Sequence, residues 1–114
     1  MSYKLSVVGS IEDIGFEHWN LCSNPESLPY DPFLSFNFLH ALEKSNSVVE
    51  STGWVPHHLK LEDVERSRII AVVPMYLKNH SAGEYVFDHA WADAFQRAGG
   101  RYYPKLQIAI PFTP

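Results

Sequence analysis

The stretch GEYVFDHAWADAF, residues 83–95, gathers three carboxylates and one imidazole. Within it His89 and Asp93 stand four residues apart, so on a helix they share a face and can serve the same proton or the same ion. An imidazole beside a carboxylate is a common general-base arrangement, which makes His89 and Asp93 the catalytic candidates. No third ligand stands near them, and the pair therefore does not specify a metal centre. Asp88, just before the helix, is placed to cap its first orphan amides, and as an acid beside His89 it is also a candidate substrate contact. Tyr102 and Tyr103 follow Gly99-Gly100 and carry hydroxyls that can act as acids or grip a carbonyl; their plain role is aromatic packing at a strand entry. His80, in the turn Asn79-His80-Ser81, is a further candidate base, and its plain role is that of an exposed turn residue.

These side chains need elements to hold them. Residues 84–87 read as a strand, after which Ala90, Ala92, Ala94 and Ala98 favour a helix opening at Asp88. Trp91 and Phe95, at i and i+4, are expected to face the core, with Asp93 and Arg97 pairing outside and Gly99 ending the helix. Upstream, residues 4–9 are β-branched and apolar, as in a first strand. Ser10 with Asp13 three residues on has the pattern of a capping box. A helix is expected from there, burying Ile11, Ile14, His18 and Leu21 or Cys22, although Gly15 costs it about 1 kcal/mol.

Residues 23–34 hold three prolines and read as a loop. Ser35 opens a second helix to about Lys44, with Phe36, Leu39 and Leu42 in phase. From His57 the period changes to two. His57 and His58 then point to opposite faces, so that one packs and the other is wet. Residues 68–78 form a longer apolar strand paired with HLKLED across a turn at 64–67. Pro74 within it cannot donate to a ladder and marks an edge, a bulge or a splay. Leu106, Ile108 and Ile110 alternate in a last strand. The order gives an α/β (α+β) domain with a mixed, mostly antiparallel sheet and flanking helices.

Composition narrows the function classes. With 114 residues, 46% of them hydrophobic and 19% charged, the chain supports one core and not two. The net charge of −4 comes with no basic stripe, which argues against DNA and other nucleic acids. The lone Cys22 excludes a disulfide within the chain and reads as a core thiol. No apolar run is long enough to span a bilayer, and residues 1–10 lack the apolar centre of a signal peptide, so a cytoplasmic location is expected.

The stretches PFLSFNFLHALEKSNSV (32–48), TGWVPHHLKLED (52–63) and PMYLKNHSAGEYVFDHAWADAFQRAGGRYYPKLQIAIPFTP (74–114) resemble a bacterial family placed with the GNAT-type N-acetyltransferases and likened to the Fem-type aminoacyl transferases of peptidoglycan synthesis. The resemblance covers nearly the whole chain from Pro32 and implies a GNAT-like, acyl-CoA N-acyltransferase fold. It further implies that the chain is the N-terminal part of a longer protein, and that the donor is acyl-CoA or aminoacyl-tRNA. In that fold the helix opening at Asp88 takes the donor position. The fold's phosphate-binding signature precedes this helix, whereas the nearest string here, Gln96 to Arg101, follows it.

Two functions are compatible with these residues. One is an acyl- or aminoacyl-transferase domain acting on a small-molecule or peptide acceptor, with His89 or Asp93 removing the proton of an attacking amine. The other is an interaction domain that forms a homo-oligomer through an exposed sheet edge ending at Ile110.

Overall fold

The computed structural model describes residues 2–80, 89–109 and 111, with His89 represented by its helical backbone. Its elements are six strands and three α-helices: β1 Tyr3–Val8, α1 Phe16–Ser23, α2 Phe36–Lys44, β2 Trp54–Pro56, β3 His58–Asp63, β4 Arg68–Val73, β5 Tyr76–Lys78, α3 His89–Arg97 and β6 Lys105–Gln107. The fold is mixed α/β, as the residue pattern requires, but the strands form two antiparallel sheets rather than one. Sheet A has the order β1-β3-β4 and sheet B the order β2-β5-β6.

Pro74 explains the division. The pairs Pro56↔Tyr76 and Leu59↔Val73 keep one register, so β2-β3 and β4-β5 are two legs of a single bent hairpin in which His58 lies opposite Pro74. Pro74 has no amide to give, and the ladder opens there. His57 N–H still donates to Met75 O at 2.8 Å on the far side of the gap. Of the roles open to Pro74, the splay is the one it takes.

The first helix also departs from expectation. Ser10 does cap a turn, its hydroxyl accepting from Glu12 N–H, but the turn is a 3-10 segment over Ile11–Asp13. Gly15 then adopts φ +92°, a region only glycine enters cheaply, and α1 starts afresh after it. This resets the helical phase. Ile11 and Ile14 are buried as expected, whereas His18 and Leu21 point to solvent and Trp19 takes the core position. Cys22 is half-buried, its thiol 3.7 Å from Ile69 O, and burial pushes its pKa up. The second helix is as expected: the Ser35 hydroxyl accepts from Phe38 N–H at 3.2 Å, and Leu39 is fully buried. Trp19 Nε1 donates to Leu34 O at 2.8 Å, and Asn24 bonds Asp31 in both directions, which ties down the proline-rich loop.

Helices α1 and α2 cover one face of sheet A. Ile11, Ile14, Trp19 and Leu39 form the core there, against Val8, Ile69 and Val72. Val48, Trp54 and Tyr76 form a second cluster under sheet B. α3 differs from its expected role. Ala92 is its buried residue, while Trp91 and Phe95 are 75% and 50% exposed, so the stripe read as core faces outward. Phe95 instead meets Tyr102 edge-on at 6.2 Å, and it lies so close over Gly100 that a Cβ there would clash. Gly99, at φ +91°, ends the helix as expected, with Gly100 N–H returning to Phe95 O. Asp93 and Arg97 are both exposed and form no ion pair with each other among the described residues. The expected strand at 84–87 and the position of Ile110 lie outside the described residues. No helix among the described residues is long and apolar enough to cross a membrane.

Candidate functional site

Glu43 sits one turn beyond Leu39 on α2 and so points inward with it. Its carboxylate collects three donors from two other elements. Ser10 Oγ donates to Oε1 at 3.0 Å, Ile11 N–H reaches both oxygens at 3.1 and 3.2 Å, and His58 Nε2 lies 2.8 Å from Oε2. His58 is fully buried at the start of β3. Its Nδ1 accepts from Met75 N–H at 3.3 Å, which fixes the neutral tautomer with the proton on Nε2, pointed at Glu43. The splay at Pro74 thus has a chemical use: His58 takes an amide that the ladder leaves available beside the gap.

Aromatic edges hold the ring. Trp19 lies 5.5 Å and Tyr76 5.2 Å from His58, both edge-on. Tyr76 is fully buried, and its hydroxyl has no hydrogen-bond partner among the described residues. Burial, and after it the charge of Glu43, pushes that hydroxyl far above the ordinary tyrosine range. With its lone pairs occupied by three donors, Glu43 serves as a hub that pins α2 to the turn after β1 and to β3.

Above the hub opens a cleft of about 310 Å³, with Ser10 and Glu12 on one wall, His40, Glu43 and Lys44 on the other, and Pro56 at its side. Glu12 Oε1 lies 2.5 Å from His40 Nε2 and 3.6 Å from Lys44 Nζ. The His40 hydrogen bond first, and then the Lys44 charge, hold the Glu12 carboxyl below its usual range. His40 also stacks on Phe36 at 4.8 Å, which fixes the plane of its ring. The cleft therefore offers the Glu12 carboxylate to an ammonium group and Lys44 to an acid, a mixture suited to a zwitterionic or peptide-like ligand.

The candidates read from sequence lie elsewhere. Asp88 and the side chain of His89 fall outside the described residues. Asp93 is exposed on α3. Tyr102 and Tyr103 do come together, their rings 4.9 Å apart, and Lys105 Nζ donates to Tyr102 OH at 3.1 Å while lying 4.4 Å from the centre of its ring. His80 sits against the turn at 50–53, its Nε2 3.1 Å from Ser51 O. No cluster of three metal-ligating side chains occurs among the described residues. Sequence reasoning missed the Ser10, Glu43 and His58 set. The available signal was the pair His57-His58, of which His58 is indeed packed and His57 half-buried.

A family model described as FemAB-like, peptidoglycan biosynthesis/recognition, matches residues 10–114. The chain belongs to the FemAB-like family. No curated protein and no solved structure matches it. The FemAB-like match begins at Ser10, the first wall of the cleft, and takes in Glu43, His58 and Tyr76 together with all the sequence-predicted candidates.

Proposed function

We propose that the chain acts in peptidoglycan-related chemistry as a GNAT-like acyl- or aminoacyl-transferase domain, in which an acceptor amine attacks an activated carbonyl. The FemAB-like match across residues 10–114 carries this reading. The element order of strand, two helices, antiparallel strands, helix and strand supports it. The acceptor, a small amine or an amine-bearing peptide, docks in the cleft with its ammonium toward Glu12 and any carboxylate toward Lys44. The donor, acyl-CoA or aminoacyl-tRNA, lies beside α3. His89 or Asp93 takes up the proton lost by the amine, and Asp88, Tyr102, Tyr103 and His80 contact substrate. The protein's contribution is chiefly to align amine and carbonyl, because alignment supplies a large share of such a barrier reduction. The setting of this chemistry is the cytoplasm.

Amide nitrogen–proton NMR of the labelled chain tests the proposal. A short peptide ending in a lysine amine is expected to shift amides at 10–12 and 40–44, and acetyl-CoA or an aminoacyl-tRNA to shift amides at 88–101. A well-dispersed spectrum that none of these ligands alters would overturn it.

A further inference from the structure

Among the described residues two imidazoles have a carboxylate partner, and they differ in what is left over. His58 is fully buried, and both of its ring nitrogens are engaged, Nε2 by Glu43 and Nδ1 by Met75 N–H. A ring so held has no nitrogen for a ligand, and its role is structural. His40 instead lines the cleft, with 25% of its side chain exposed. Its Nε2 lies 2.5 Å from Glu12 Oε1, and its Nδ1 has no hydrogen bond among the described residues.

The chemistry of the second pair follows from its parts. A carboxylate only accepts, so Nε2 carries the proton, and the lone pair of the neutral ring is on Nδ1. The stack on Phe36, with 20° between the planes, restrains the ring from turning over. Glu12 is a carboxylate at neutral pH, its carboxyl held below the usual range first by this hydrogen bond and then by the Lys44 charge. A carboxylate on one ring nitrogen stabilises the imidazolium that forms when the other nitrogen takes up a proton.

We infer that His40 is a catalytic residue of the acceptor site, its Nδ1 removing the first of the two protons that an acceptor ammonium must lose. This rests on the acceptor site proposed above. An amine docked as an ammonium has no lone pair, so one N–H proton passes to Nδ1 before attack. The freed pair forms the C–N bond while the carbonyl π electrons move onto oxygen. The nitrogen then gives its second proton to His89 or Asp93. As the carbonyl re-forms, the sulfur of CoA or the ribose oxygen of tRNA leaves with the bonding pair and takes that second proton. The first proton passes from His40 to water. Lys44 Nζ, 3.6 Å from Glu12 Oε1, favours the first transfer, because a second cation beside it gives up its proton more readily.

Ring nitrogen–proton NMR of the labelled chain tests the inference, at about pH 8, above the ordinary imidazole range, with the lysine-ended peptide as probe. The His40 ring is expected as the Nε2–H tautomer, and the peptide should move its Nδ1 signal and leave that of His58 in place. The same peptide with its lysine amine acetylated should not move Nδ1. With acetyl-CoA or an aminoacyl-tRNA as donor, His40→Gln, which keeps a donor for Glu12, should lower kcat about 100-fold while KM for the peptide changes less than about threefold. Amide shifts at 10–12 and 40–44 with Nδ1 unmoved would overturn the inference and leave the acceptor site standing, whereas no shift at either place would overturn both. A loss confined to KM would make His40 a binding residue and overturn the catalytic role. So would a wild-type chain that binds the peptide and forms no amide with either donor.

Discussion

The two ends of the bent hairpin are stabilised in different ways. Around sheet A, elements distant in sequence meet at a shared polar hub, with Glu43 bonding groups 32 and 33 residues upstream and His58 beyond it. Around α3, the described contacts are short in range, such as Phe95 on Gly100 and Tyr102 on Lys105. A fold can thus be tightly specified at one end, where buried polar partners admit a single arrangement, while the other end awaits further contacts.

The contrast is tested most severely at the hub. Glu43→Ala leaves the donors of Ser10, Ile11 and His58 without their acceptor and is expected to cost about 3–5 kcal/mol. The matching truncation in the other region, Phe95→Ala, should cost about 1 kcal/mol or less under conditions that keep the chain monomeric. Urea denaturation of both variants measures the difference, and equal losses would erase the distinction.

Tyr76→Phe sharpens it from the opposite side. It removes a buried hydroxyl that has no partner among the described residues and keeps the ring contacts with His58 and Trp54. Stability should be unchanged or rise by about 1 kcal/mol. A loss well beyond that would show that the hydroxyl has work to do in the hub.

The smallest effect belongs to the rim of the cleft. Glu12 has a lowered pKa in the folded chain, so its contribution is present above its ordinary value of 4.5 and fades as pH falls through the lower folded value. His40→Ala should flatten that acid limb slightly in a series of denaturation curves between pH 6 and 3. An unchanged limb would mean that solvent already screens the pair.

Much of the architecture could be read from residue pattern because its causes are local. Ser35 caps α2, Gly99 ends α3, the period of two marks β3, and Pro74 announces a break, each through its own backbone chemistry. The phase of α1 is hidden because Gly15 reads in sequence as a cost to a continuous helix, whereas it takes φ +92° and a new helix starts after it. The spacing of Trp91 and Phe95 states that they share a face and is silent on what covers that face, which is exposed. The Ser10, Glu43 and His58 hub was out of reach for a related reason. Its members lie on three elements, and only the tertiary fold brings them within hydrogen-bonding distance.

Because the register passes unbroken across the gap between His58 and Pro74, the alignment of the two sheets is shared. The three-residue strands β2 and β5 are too short to align themselves, and they keep the register that β3 and β4 hold on the other side of the gap. A one-residue slip of β4 on β3 beside the gap, past the register shift at Leu61 and Glu62, would carry into sheet B and turn Trp54 and Tyr76 out of the core together.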